Sequence, residues 1–565
     1  MLNQRSAEAI PTEKSVAVLP FENISPNKDD AYFADGVQDE ILNNLAKIAQ
    51  LKVISRTSVM QYRGDSTRDL RQIATALGVA NVLEGTVRRD GNHVRVSTEL
   101  IDARNDNTIW ADSYYRDLTD IFAIQSEVAQ KVASRLSTQL SPDERKDIEQ
   151  KPTNNLEAYD LYLQAKQLSK AWGWPGTLKE NGLRAIGLLE QATREDGRFK
   201  LAYCLMANLH DFFYLNFDHT PERLALADAA MNEALRLQPH LPEVHLALAS
   251  HLYECYRDYE RARVQLAIVA QALPNNSDLL ELTAAIDRRQ GRWENAITGL
   301  GKATTLDPRN PDILYDLAAT YEMLRRYRDA ERIWNRIVEL KPDQQPVFMT
   351  IKAWWAFAER GDLSAVSAAY EALPPSMKDD PAVAIERVYY ANYARDFAAA
   401  KDILSKVPGE ELYFYGASVP RGIWMLWLEL IQGNHPNIEQ FGAAREQLYR
   451  KVEADPTDPF LLVALAKADV ALGRKEEAMQ EARRAMEMRP ISEDARDGPG
   501  LATCFARVCT WANQWDLAFE QLNIVVHVPS GAWLTYGDLK MDPEWDPLRK
   551  DPRFEKLLAA LAPRD

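Results

Sequence analysis

The apolar positions change rhythm once along the chain. Up to about residue 140, short β-branched runs alternate with stripes of helical period; from about residue 156 only the helical period remains. The run SVAVLPF (15–21) is continuously apolar and closes on a proline, which predicts a buried strand. Val37, Ile41, Leu45 and Ile48 share one stripe and predict a helix over 33–48. LKVISR (51–56) predicts a second strand. Residues 69–77 predict a second helix, with Gly78 in the place of a C-cap glycine. In VLEGTVRRDGNHVRVSTELID (82–102) two alternating runs flank Asp90-Gly91, which predicts a hairpin turning on that dipeptide. A strand over 108–115 and a helix bearing Ile121, Ile124, Val128, Val132 and Leu136 complete the set. Strands alternating with helices and then a hairpin predict a compact α/β domain over 15–140. The polar lead 1–14 is expected to be disordered. The charged stretch 141–155, with two prolines and no apolar period, is expected to be a linker.

Beyond 156 the prolines keep time. Pro239, Pro274, Pro308 and Pro342 are 35, 34 and 34 residues apart, and Pro456 and Pro490 repeat the interval of 34. A fixed period in the thirties predicts stacked helical hairpins, each burying its apolar face on the next. Small residues are needed where two helices cross closely. Twelve positions before five of these prolines stand Ala262, Ala296, Ala330, Ala444 and Ala478. Eight before stand Leu266, Leu300, Trp334, Leu448 and Ala482, mostly bulky. Leu314, Leu317, Ala318 and Tyr321 fill large, large, small and large positions of the following helix. Leu462, Leu465 and Ala466 do the same after Pro456, but Asp469 stands where an aromatic is expected. The pattern drifts over 350–440 and 500–545.

This pattern resembles the tetratricopeptide repeat (TPR) over roughly 156–535. The resemblance implies an α+β multidomain chain, in which a small α/β domain precedes a right-handed all-α superhelix with a concave inner face. SVAVLPFENIS, YFADGVQDEIL, LKVISRTS and LGVANVLEGTVRRDGNHVRVSTELIDARNDNTIWADSYYRDLTDIFAIQSEVA resemble, in order and spacing, the α/β domain related to the TolB N-terminal domain. That domain recurs in bacteria beside TPR arrays, often behind a winged helix, cyclase or kinase and a membrane helix. The tail GDLKMDPEWDPLRKDPRFEKLLAAL resembles the close of such chains, so 536–565 is read as a capping segment.

Composition narrows the role. With 565 residues the chain exceeds what one core usually organises. A formal charge of −16 argues against nucleic acid as the main partner and against an anionic membrane surface. No signal-peptide core or apolar run long enough to span a bilayer occurs, so the chain as written is expected to be cytoplasmic. A periplasmic place is the alternative if Met1 is not the natural start. Cys204, Cys255, Cys504 and Cys509 read as small buried hydrophobes, not as a disulfide framework.

Candidate chemistry is sparse. Around Gly301-Lys302 a phosphate loop would need a glycine and a hydroxyl where Ala296 and Ala303 stand, so the segment reads as helix. His240, His245 and His251 are five and six residues apart, which does not place two imidazoles on one ion; His245 reads as a packed core residue. Asp35, Asp39 and Glu40 read as the solvated side of the first helix, with Asp29 and Asp30 favouring its N-terminus. Trp334, Trp354, Trp355, Trp424 and Trp427 read as packing residues, the alternative being an exposed aromatic clamp. No catalytic residue, cofactor or metal is predicted, and the chain reads as a non-enzyme.

In TPR arrays the first helix of each hairpin lines the groove. Counting from the prolines, Glu243, Tyr253, Glu281, Arg288, Arg289, Tyr315 and Glu322 fall there, a mixed surface suited to an extended peptide or helix of a protein partner. Arg288 and Arg289 are expected to grip carboxylates of that partner. The leading expectation is a scaffold or adaptor. The alternative is the accessory half of a membrane-anchored bacterial signalling protein whose α/β domain senses a ligand.

Overall fold

The computed structural model describes residues 13–64, 69–169, 175–378, 380–415, 417–434, 436 and 438–563. The expected disorder of 1–14 falls outside them as far as residue 12. Compactness divides the chain into a first unit, Met1–Ile286 with Thr298–Ile313, and a second, Asp287–Ile297 with Leu314–Asp565.

The first unit opens on a mixed sheet in the order β3-β1-β4-β5-β6. Its strands are β1 (Ser15–Val18), β2 (Glu22–Asn23, beside β4), β3 (Lys52–Val53), β4 (Asn81–Asp90), β5 (His93–Asp102) and β6 (Asn107–Asp117). β1 runs parallel to β3 and β4, whereas β4, β5 and β6 are antiparallel. α1 (Ala31–Ala46) and α4 (Ile121–Arg135) share a core with Val16 and Val18 on one face of β1. Ala17 and Leu19 meet α2 (Arg56–Met60) and α3 (Leu70–Leu77) on the other. A strand covered on both faces reads as an unbroken apolar run, which is why SVAVL does not alternate. Gly78 ends α3 in the left-handed region at φ 65°, as its position required. The hairpin is displaced by one residue from the expected turn. Asp90 still pairs with His93, so Gly91 (φ 59°) and Asn92 make the turn, with glycine at the first central position, where a II′ turn needs positive φ.

The expected linker holds a helix, α5 (Pro142–Glu149). Ser141 and Glu144 form a reciprocal capping box around Pro142, and Ile148 is buried, its carbonyl accepting from Ser126 Oγ at 2.7 Å. One anchored side chain and a good cap suffice where no apolar period exists. The helical hairpins follow: α6 (Leu156–Ser169) with α7 (Pro175–Glu195), α8 (Lys200–Asn216) with α9 (Pro221–Leu237), and α10 (Pro242–Glu254) with α11 (Tyr259–Ala272). After them come α12 (Ser277–Arg289), α13 (Trp293–Leu306), α14 (Pro311–Met323), α15 (Tyr327–Leu340) and α16 (Gln345–Arg360). The α/β region and the first hairpins form one body. A Cβ on Gly36 would collide with Leu163 of α6, Ser58 Oγ donates to Asp307 at 2.5 Å, and Asn275 Nδ2 donates to Ala49 O at 2.9 Å.

In the second unit the repeat register holds. Ala330 and Ala478 are fully buried, as are Ala318 and Ala466, and Leu448 and Trp334 fill the bulky sites. A Cβ on Gly422 would lie 2.7 Å from that of Ala444, a close helix crossing. Asp469, the residue out of pattern, is buried and takes a two-pronged ion pair from Arg445 at 2.9 and 2.7 Å. The drift over 350–440 has a cause the period does not show: a β-hairpin, Glu411–Phe414 with Ala417–Pro420, interrupts the helices. Trp424 and Trp427 are buried against its Phe414, Trp355 is buried against Phe348, and the three form no exposed clamp.

The C-terminal stretch of the second unit lies along successive turns between paired helices. Arg289 pairs with Asp494 and Asp497. Arg325 donates to Val528 O, Ser530 Oγ and Leu534 O. The Arg360 carbonyl accepts from Lys540 Nζ, and Arg395 forks onto Asp546. These four arginines are 36, 35 and 35 residues apart, so the stretch 494–546 meets the turns in order.

Candidate functional site

The seven groove positions fall in both units. In the first, Glu243, Tyr253 and Glu281 are half-buried on α10 and α12, and the Tyr253 ring stands 5.9 Å from Tyr259. In the second, Tyr315 is 54% exposed with its ring edge-on to Trp334 at 5.8 Å. Glu322 Oε1 accepts from the Trp334 indole at 3.3 Å. Arg288 and Arg289 are buried and meet carboxylates of this chain. Arg288 lies 3.2 Å from Asp316, and Arg289 lies 2.9 Å from Asp494 and 2.6 Å from Asp497. The expected grip on a partner's carboxylates is therefore met inside the molecule, because a buried guanidinium needs a counter-charge at hand.

The first unit contains a larger concavity, of about 1010 Å³, which the sequence did not point to. Leu42 of α1 and Leu205, Leu209 and Phe212 of α8 make its apolar floor, and Asn43, Asn208, Asn275 and Asn276 its amide rim. None of the seven groove positions lines it. One wall is charged. Asp35 and Asp39, expected on a solvated face, are buried under α2 and α6. Asp35 pairs with Arg63, and Asp39 lies 2.5 Å from Lys166 and 3.6 Å from Arg56. Burial raises the Glu40 carboxyl above its ordinary range, partly offset by Lys166. Burial works to lower Lys166 itself, but Asp39 and its neighbours outweigh it and hold the ammonium charged. Asp29's side chain lies outside the described residues; Asp30 occupies the N-cap of α1 without a side-chain cap bond.

A second concavity, of about 860 Å³, opens beyond the carboxyl end of β1. Its wall includes Phe21, Gly85, Ser97, Thr98 and Ser113. The Thr98 hydroxyl is buried and without a hydrogen-bond partner. A Cβ on Gly85 would lie 2.8 Å from Phe21 and from the Ser97 carbonyl, so glycine keeps that wall open. β1 sits between its parallel neighbours β3 and β4, the kind of strand-order reversal at which open α/β sheets bind ligands.

Of the rejected motifs, Gly301-Lys302 lies within α13 as expected. His245 is buried and its Nδ1 meets Gln265 Oε1 at 2.7 Å. Cys204, Cys504 and Cys509 are buried, but Cys255 is only partly so, with its Sγ 3.2 Å from Asp211. His251 is likewise no isolated imidazole: Asp211 and Asp228 flank its two ring nitrogens. Cys255 stands four residues after His251, the one-turn spacing that puts two ligands on one helix face. No helix among the described residues is long and apolar enough to cross a membrane.

Two family models match the chain. Residues 12–131 match the second domain of HilA/YgeH-like transcriptional regulators, and residues 285–324 match the TPR repeat. The repeat match agrees with the helical-hairpin architecture after the α/β region. Over the α/β region itself, the matching family is the HilA/YgeH-like one, in place of the expected TolB-like one. The chain is similar to a protein of Rhizobium meliloti (strain 1021) named "Putative adenylate cyclase 3", with 34% identity over 245 residues. That match covers 42% of this chain and 40% of the relative, so the chain spans well under two thirds of that relative's length. Loose superpositions link the chain to solved structures. The human IFIT1 dimer with m7Gppp-AAAA has 14% identity and a TM-score of 0.36, covering 83% of this chain and 98% of that one. Yeast Tom70 has 13% identity and a TM-score of 0.30, covering 72% and 92%.

Proposed function

We propose that this chain is a non-enzymatic scaffold or adaptor that holds an extended segment or short helix of a partner protein. The TPR-type architecture makes protein interaction the default role. The observation that carries the reading to a particular place is the 1010 Å³ concavity of the first unit, with its apolar floor, amide rim and charged wall. An apolar floor with a few fixed polar groups is the composition of a binding cleft. Glu243, Tyr253, Glu281 and Tyr315 remain as further contact positions along the repeats. The domain limits 15–140 and 156–535 belong to the same reading. The test compares partners captured by the native chain with those captured by Leu205→Glu, Asn208→Arg, two partly or fully exposed wall positions. Loss of particular partners with unchanged thermal unfolding supports the reading; an identical partner set for both proteins overturns it.

A second reading is the accessory half of a bacterial signalling protein, with the α/β region sensing a small ligand. It is favoured by the partial match to a protein named as an adenylate cyclase, by the regulator-domain match over 12–131, and by the TolB-like pattern of 15–140. The concavity beyond β1 would be the ligand's place. A thermal-shift screen of small polar metabolites would reveal a binder, and Ser113→Tyr, at the exposed mouth, should abolish its shift. Binding of duplex DNA to the isolated full chain, with a salt-dependent affinity, would instead point to the transcriptional role named for the matching family.

A further inference from the structure

The first unit contains a cluster of three different metal-ligating side chains that neither reading uses. α8 supplies Asp211, fully buried. α10 supplies His251, and Cys255 follows one turn later at its C-cap. A carboxylate oxygen, a ring nitrogen and the thiol sulfur of these residues all lie within 4.8 Å of one another. His251 Nδ1 stands 2.7 Å from Asp211 Oδ1, and Cys255 Sγ 3.2 Å from the same oxygen. The second oxygen, Asp211 Oδ2, is buried with no hydrogen-bond partner. A buried carboxylate oxygen left without a donor is costly, and a cation is one way to satisfy it.

The surroundings suit a cation. His251 Nε2 faces Asp228 Oδ1 at 3.0 Å, and the Tyr256 hydroxyl donates to that same oxygen at 2.7 Å. An imidazole that gives its far N–H to a carboxylate presents its near nitrogen in a fixed tautomer and orientation. Tyr256 is half exposed and Cys255 partly so, which leaves a path from solvent. Magnesium and calcium prefer oxygen-only sets; a mixed carboxylate, imidazole and thiolate set selects the zinc class.

We propose that Asp211, His251 and Cys255 form a binding site for a divalent cation of the zinc class. Binding replaces the Cys255 thiol proton and the proton on His251 Nδ1, both passing to solvent, while the Nε2 proton stays on the ring and is donated to Asp228. The thiolate and the Asp211 carboxylate then balance the two positive charges. The site ties α8 to α10 and, through Asp228, to α9, so the ion would brace two successive hairpins.

The full chain, stripped with a chelator, is titrated with cobalt(II). One equivalent is expected to bind with a thiolate-to-cobalt charge-transfer band and intense visible bands of low coordination number. Zinc should displace it and raise the thermal midpoint, whereas magnesium should do neither. Cys255→Ser should lose the charge-transfer band. Asp228→Asn, at a partly exposed position, should keep the band and weaken binding about 10–100-fold, and it serves as the check if Cys255→Ser does not fold. Absence of stoichiometric binding, a band that survives in Cys255→Ser, or an unchanged affinity in Asp228→Asn would overturn the proposal.

Discussion

The Arg289 guanidinium lies 2.6 Å from the Asp497 carboxylate, 208 positions further along the chain, and 2.9 Å from Asp494. All three side chains are buried. Removing the cation would strip Asp494 and Asp497 of the guanidinium they share, with Arg489 at 3.4 Å and Arg496 at 3.2 Å remaining beside Asp497. Arg289→Ala is therefore expected to destabilise the second unit by about 3–5 kcal/mol, the range for breaking a buried pair from one side. Urea unfolding measures it. A loss under 1 kcal/mol would mean that the contact is not formed in solution.

Arg325 offers a finer test of the same seam. It holds three groups of the stretch 528–534 while its backbone sits in the left-handed region at φ 57°. That conformation costs a side-chain-bearing residue about 1–2 kcal/mol. Arg325→Ala loses the bonds and keeps the strain; Arg325→Gly loses the bonds and relieves it. The glycine variant should be the more stable of the two by about 1 kcal/mol, after allowing for the greater freedom of glycine in the unfolded chain. Equal midpoints in parallel urea titrations would contradict this account of the turn.

Ala318 and Ala466 fill the small positions of their helices and are fully buried. Leucine at either has no space to enter. Each substitution is expected to overpack its crossing and cost about 1–3 kcal/mol. Thermal unfolding unchanged from the native protein would refute the repeat register.

Glu322 gives the second unit a pH signature. Burial raises its carboxyl to about 7, against the smaller opposing effect of the Trp334 hydrogen bond. The folded state thus keeps a proton that the unfolded chain gives up at its lower, ordinary value. Stability from this group is full below the ordinary carboxyl range, falls as pH rises toward about 7, and is flat above it. Glu322→Gln keeps the acceptor for Trp334 and cannot ionise. It should match the native protein at pH 4 and exceed it at pH 8. A native-minus-variant difference that does not change with pH would rule the effect out.

These residues show how far the amino-acid order could be read. The alternation of strand and helix over 15–140 and the hairpin period beyond 156 are local, because an element's burial pattern is written at its own spacing. The alanines at 318, 330, 466 and 478 could be placed for that reason, and Gly78 because a helix end needs a left-handed residue. The seven positions lie on α10, α12 and α14, but their availability was not legible. A polar residue on a groove face looks the same in the sequence whether solvent or another part of the chain covers it.

What the sequence determined by itself is therefore the kind of element wherever an apolar period runs, and the repeat of about thirty-four that stacks the helices, whereas α5 and the hairpin over 411–420 carry no such period. The tertiary structure alone decided which polar residues are spent internally and which remain open. Arg289 finds Asp497 only because distant turns meet, Asp35 and Asp39 lose their solvent only when α2 and α6 cover α1, and Asp211 reaches His251 and Cys255 only when α8 lies beside α10. Contacts between residues 17 to 208 positions apart leave no local period. Their energy depends on burial, which a single strand of sequence does not specify.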